Sequence, residues 1–129
     1  MPRPTPSSLT PVQLEIMNLF WEQGELGVAQ VWRLLSERRR VARNTAQTML
    51  TRLVDKGWLK VRVEANAFYF RAARPRGSTL RGMVGRLVDT AFGGSATGLV
   101  MALLEDRRIS AEEGRRIREL IDRAQEDRQ

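Results

Sequence analysis

The sequence contains no cysteine and no histidine. Without cysteine there can be no disulfide framework and no thiolate metal site; without histidine, the commonest catalytic base and metal ligand is missing as well. The acidic residues lie on what read as solvated helix faces, with no paired-carboxylate or metal-ligand spacing, so neither enzyme chemistry nor a bound metal or cofactor is expected. Also missing is any apolar run near the roughly 18 residues that a membrane span requires, and the N-terminus lacks the apolar stretch of a secretion signal. The chain is therefore read as soluble, cytoplasmic and not inserted in a membrane.

What is present is a basic first half. The 129 residues are 42% hydrophobic, enough for a core, and carry a net charge of +7. Residues 1–77 hold 13 Lys and Arg against 6 Asp and Glu, whereas residues 78–129 hold 9 of each. All the excess positive charge thus lies in the first part, as expected of a polyanion-binding module joined to a module with another task.

Three domains are expected along the chain. Residues 1–8, with three prolines, read as a disordered arm. Residues 9–77 follow as a mainly helical module closed by a hairpin, and residues 78–129 as helices alone. Thr10, Pro11 and Gln13 spell the capping box of a first helix, with Leu9 placed to staple onto Leu14. Its apolar face is Leu14, Ile16, Met17, Leu19, Phe20 and Trp21, and it ends before Gly24. Val31, Leu34 and Leu35 mark a second helix from about Val28 or Ala29 to Glu37. After the basic run Arg38-Arg39-Arg40 and Arg43, Asn44 reads as the cap of a third helix, in a box with Gln47, and Gly57 ends it. Ala46, Met49, Leu50, Leu53 and Val54 face inward. Leu59, Val61 and Val63 then alternate with Lys60, Arg62 and Glu64, and Phe68-Tyr69-Phe70 answers across a turn at Ala65-Asn66, which is the pattern of a β-hairpin. Trp21, Trp32, Trp58, Phe68 and Phe70 are taken as core aromatics. Arg74-Pro75-Arg76-Gly77 marks the boundary, and a helix is expected from Ser78 or Thr79 to the stop at Gly93-Gly94.

The fold class is accordingly mainly α with a small β-hairpin: a winged helix-turn-helix followed by an all-α dimerisation region. In that arrangement the third helix enters the major groove of double-stranded DNA. Asn44, Thr45, Gln47, Thr48, Thr51 and Arg52 are polar side chains suited to base edges and phosphates, while Arg39, Arg40, Arg43, Lys60 and Arg62 are candidates for the backbone. In the second half, Leu80, Met83, Val84 and Leu87 form one apolar stripe, Leu99, Val100, Leu103 and Leu104 a second, and Ile117, Leu120 and Ile121 a third. Three short helices cannot bury so much among themselves, so a second copy of the chain is expected against them. A winged-helix module for protein–protein or RNA contact remains the alternative, since a fold does not fix a function.

Two stretches carry a resemblance to a known family. Leu9-Thr10-Pro11-Val12-Gln13-Leu14-Glu15-Ile16-Met17, ending in Phe20-Trp21, and the run from Asn44 to Leu59, with its core of Thr48-Met49-Leu50, Arg52-Leu53 and Lys56-Gly57, resemble the penicillinase-repressor (BlaI/MecI) family of winged-helix regulators. Weaker similarity continues through Leu99-Val100 and Leu104-Glu105 to Ile109-Ser110-Ala111-Glu112-Glu113. The resemblance implies a homodimeric repressor on a palindromic operator, released when a membrane-bound sensor protease cuts it in the C-terminal half. The family's cut bond, Asn-Phe, aligns with Ala102-Leu103 here. The family wing turns through Gly-Arg where this chain has Ala65-Asn66, and the cysteine cluster of the copper-responsive branch is absent.

Overall fold

The computed structural model describes residues 8–128. The expected N-terminal arm lies, except for Ser8, outside the described residues. Helix α1 spans Pro11–Gln23. It opens with the capping box read from the sequence: the Thr10 hydroxyl accepts from the Gln13 N–H (3.2 Å), and the Gln13 side chain accepts from the Thr10 N–H (2.9 Å). Gly24 closes it at φ 85°, a conformation that a side chain would disfavour.

A two-residue strand, β1 (Leu26–Gly27), leads directly into α2 (Val28–Ser36). The sequence suggests only a turn at this point, because two residues are too few to show a period. Helix α3 covers Arg43–Asp55, and the hairpin consists of β2 (Leu59–Glu64) and β3 (Ala67–Ala72). The three strands form an antiparallel sheet in the order β1-β3-β2, with Leu26 opposite Phe70 and Val61 opposite the same residue on the other side. The turn falls at Ala65 and Asn66, both left-handed (φ 49° and 65°), the backbone that suits a tight two-residue hairpin.

These elements enclose one core. Ile16, Met17, Val31, Leu35, Leu50 and Leu53 are completely buried, and Phe20, Leu26, Trp58, Leu59 and Phe70 close around them. The Trp21 indole donates to the Arg74 carbonyl (3.0 Å), which pins the exit of the hairpin to α1. Two aromatics expected in the core are outside it: Trp32 is 38% exposed and Phe68 52%. Trp32 instead donates to the Val41 carbonyl (2.8 Å), and Phe68 sits near the hairpin tip, on an open groove that it lines with Gln47, Thr51 and Val54 of α3.

Two helix starts also differ from the sequence reading. Asn44 is the second residue of α3 and not its cap. Its cap is Ala42, whose carbonyl accepts from the Ala46 N–H (3.1 Å) with no side-chain cap bond. The Trp32–Val41 bond holds the preceding residue, so the helix begins at once after Ala42. Helix α4 runs Arg76–Ala91, starting two residues early because the Pro75 carbonyl takes both the backbone N–H (3.3 Å) and the hydroxyl (2.7 Å) of Thr79. The chain separates into two compact units between Met83 and Val84, inside this helix.

The second unit contains the end of α4, then α5 (Ala96–Glu105) and α6 (Ala111–Asp127). Gly93 and Gly94 stop α4 at positive φ (57° and 86°). Ser95 caps α5 by accepting from the Gly98 N–H, and Ser110 caps α6 by accepting from the Glu113 N–H. No residue from Val84 to Arg128 is buried. Among the described residues, no single helix is long and apolar enough to cross a membrane.

Candidate nucleic-acid interface

Helix α3 turns Ala46, Leu50 and Leu53 into the core, which leaves its polar residues outside. Asn44, Thr45, Gln47, Thr48, Thr51 and Arg52 are all exposed, as the sequence led us to expect. Helical spacing divides them into two rows. Asn44, Thr45, Thr48 and Arg52 line one shallow depression with Met49, while Gln47 and Thr51 line a groove shared with the hairpin.

The chemistry of the two threonines is set by the helix itself. Thr48 Oγ1 donates to the Asn44 carbonyl (2.9 Å) and Thr51 Oγ1 to the Gln47 carbonyl (3.0 Å). With its proton engaged, each hydroxyl can only accept, and each side chain presents a methyl group outward. Such a surface suits exocyclic amino groups and thymine methyls. The Gln47 carboxamide makes no hydrogen bond among the described residues and keeps both its donor and its acceptor, the combination that can pair with adenine N7 and N6.

The cations fall into two groups. Arg38, Arg40, Arg43 and Arg52 are exposed and have no carboxylate partner among the described residues. Arg39 is held: its guanidinium donates to both oxygens of Glu15 (3.1 and 2.8 Å), tying the α2–α3 connector to α1. Arg62 is held more completely. It donates to both oxygens of Glu25 (2.6 to 3.0 Å), also pairs with Glu64, and lies over the Tyr69 ring at 4.8 Å. The hydrogen bond from Arg62 keeps the Glu25 carboxyl below the usual carboxylate range, and the two carboxylates raise the Arg62 pKa. Lys60 stays exposed, directly opposite Arg71 on the same face of the hairpin. Arg71 is not among the residues singled out from the sequence, although the alternation along β3 places it with Lys60.

The candidate pairing residues are on the second unit and the helix leading into it. Leu80 and Met83 of α4 are half-buried, whereas Val84 (50%) and Leu87 (47%) are exposed. On α5, Leu99 and Leu103 are half-buried, and Val100 and Leu104 open to solvent. On α6, Ile117 is half-buried, with Leu120 at 59% and Ile121 at 49% exposure. Ala102 and Leu103, where the family cleavage bond aligns, are half-buried within the regular helix α5.

Known proteins resemble the chain across both halves or in the first alone. The penicillinase repressor of Bacillus licheniformis is 25% identical over 105 residues, which covers 81% of this chain and 82% of that protein. The solution structure of the DNA-binding domain of the repressor BlaI matches 54% of this chain and 84% of the domain, at 28% identity and a TM-score of 0.50. The Bacillus licheniformis BlaI monomer in complex with the blaP half-operator matches 56% of this chain and 88% of that one, at 26% identity and a TM-score of 0.50. The family model for the penicillinase repressor spans residues 9–123, and the chain belongs to that family.

Proposed function

We propose that this chain is a DNA-binding transcriptional repressor that grips a palindromic operator as a homodimer, through residues 9–77, and pairs through residues 78–129. One observation carries the reading: α3 presents an unpartnered Gln47 carboxamide and two acceptor-only threonines on its outer face, flanked by the free cations Arg43 and Arg52. An ordinary solvated helix face would be filled with Lys and Glu. Here Asn44, Thr45, Gln47, Thr48, Thr51 and Arg52 read bases and adjoining phosphates, and Arg40, Arg43 and Lys60 meet the backbone. Arg39 reaches a phosphate by exchanging it for Glu15. A similar protein has been solved as a monomer on a half-operator, which supports one α3 per half-site.

Pairing rests on the second unit, where no side chain is buried and three apolar stripes face solvent. Two-fold pairing would set two copies of α3 about 34–36 Å apart, or a multiple of that, to match successive half-sites. A cut between Ala102 and Leu103 would divide the α5 stripe and separate the copies. A protease would first have to unwind α5, since cleavage needs an extended backbone.

Footprinting of the full chain on the DNA upstream of its own gene, with a salt titration on the same duplex and on a random one, tests the reading. A two-fold symmetric footprint, with log K falling linearly in log salt, is the expected result. Equal affinity for random and upstream DNA would overturn it. Binding to RNA alone, or to no nucleic acid, would favour an interaction module instead.

A further inference from the structure

The hairpin has two unlike faces. Residues paired across the strands share a face, so Lys60, Arg71, Arg62, Tyr69 and Glu64 lie on one, and Leu59, Val61, Phe70, Val63 and Phe68 on the other. On the charged face the guanidinium of Arg62 pairs with Glu25 and Glu64 and lies over the Tyr69 ring. One cation against two carboxylates leaves that end of the hairpin without free positive charge. The opposite face begins in the core at Leu59 and Phe70 but emerges from it, with Val61 43%, Phe68 52% and Val63 62% exposed.

This apolar face has a definite neighbour. Val61 and Phe68 line an open groove of about 180 Å³ together with Val28, Val54, Gln47 and Thr51. Phe68 and Gln47 also border an adjoining hollow that contains Arg43. The groove is therefore continuous with the face of α3 assigned above to base reading. A DNA strand flanking the groove that α3 enters presents deoxyribose C–H surface on one side and phosphates on the other, which is the polarity of Phe68 and Arg43 around this channel. Left in water, an exposed Val63–Phe68 cross-strand pair would be an aggregation liability.

We propose that the inner face of the hairpin, Phe68 and Val63 with Val61 behind them, packs against the deoxyribose edge of the strand that flanks α3, so that the tip of the wing, where Arg62 is already paired, holds DNA by apolar contact. The inference rests on the DNA-binding reading above. It follows that this contact is insensitive to salt, unlike those of Arg40, Arg43 and Lys60.

The test is a salt series of dissociation constants for the parent and for Phe68→Ser, Phe68→Leu and Val63→Thr, on the upstream duplex and on a random duplex. Thermal unfolding verifies that each variant is folded. Phe68→Ser should weaken both duplexes about tenfold, which corresponds to leaving on the order of 50 Å² of ring in water at about 25 cal/mol per Å². The slope of log K against log salt should not change. Phe68→Leu should restore most of the affinity, and Val63→Thr, which keeps the β-branched shape, should cost a few-fold. Unchanged affinity in Phe68→Ser and Val63→Thr would overturn the proposal, as would a loss that appears as a shallower salt slope. So would a Phe68→Ser variant that binds DNA normally but no longer self-associates, which would assign the face to a second copy. A parent that binds neither duplex would instead remove the DNA-binding reading itself.

Discussion

Replacing Leu120 with aspartate should convert the proposed homodimer to monomers. Leu120 is 59% exposed on α6, and Leu104 and Met101 are each 54%, Val84 50%, Ile121 49%, Leu87 47% and Val100 40% exposed. Full burial of such a side chain stabilises by about 1.5–3 kcal/mol, so the half that remains in water is worth roughly 1 kcal/mol each. Over both copies these side chains contribute on the order of 14 kcal/mol of gross apolar burial, against about 4–15 kcal/mol lost in ordering two bodies. The difference runs from about −1 to about 10 kcal/mol, a margin that one substitution striking both copies can erase. Aspartate forfeits about 1 kcal/mol of burial and adds a carboxylate that must leave water, at a cost of several kcal/mol. Two-fold symmetry applies the change twice, so the dimer should weaken by a factor of about a thousand or more. Because Leu120 is already half in solvent, helix content measured by circular dichroism should be kept. Sedimentation velocity over a dilution series reads the result, and operator affinity should fall toward that of one half-site. A parent that sediments as a monomer at micromolar concentration would refute the reasoning. A Leu120→Asp variant that stays dimeric would do so too.

Gln47→Ala should weaken the upstream duplex by about 1–3 kcal/mol and leave random DNA nearly untouched, by fluorescence anisotropy on both; equal losses would remove base reading from α3. Arg40→Gln with Arg43→Gln should lower affinity for every duplex and flatten the salt dependence by about one unit of slope for each phosphate no longer neutralised, and an unchanged slope would show both arginines to be merely solvated. Ala65→Gly should raise stability by on the order of 1 kcal/mol, since the roughly 1–2 kcal/mol cost of holding alanine in the left-handed region at φ 49° exceeds the extra chain entropy of glycine; a lower melting temperature would contradict the turn geometry. Glu25 titrates below the usual carboxylate range because Arg62 hydrogen-bonds to it, so its contribution is present above the unfolded pKa and lost as pH falls through the folded one. Protection of the Gly27 and Tyr69 amides, taken relative to the intrinsic exchange rate at each pH, should thus fall on acidification through the folded pKa of Glu25, and Glu25→Gln should abolish that part of the acid response.

Much of the architecture is written in contiguous residues. The Thr10–Gln13 box, the left-handed positions at Gly57, Gly93 and Gly94, and the turn at Ala65-Asn66 are each signalled within a few residues of where they act. The 3.6-residue period of α3 likewise shows in advance that Ala46, Leu50 and Leu53 go inward and Gln47, Thr48 and Thr51 outward. Local signals mislead where a tertiary bond competes with them: Asn44 is a good cap by type, but with the indole of Trp32 hydrogen-bonded to Val41 the cap of α3 is Ala42.

The electrostatics and the exposure of the wing are decided only when distant residues meet. Arg39 and Glu15 are 24 positions apart, Arg62 and Glu25 37, and Trp21 and Arg74 53, and no local pattern announces such partners. The two-residue strand β1 exists only because β3 lies beside it, and that pairing brings Glu25 to Arg62. An alternating strand likewise states that one face is apolar without stating how far the core extends to cover it. Leu59 and Phe70 fall inside that reach and Val63 and Phe68 fall beyond it, because burial depends on what stands opposite in space and not on the residue itself.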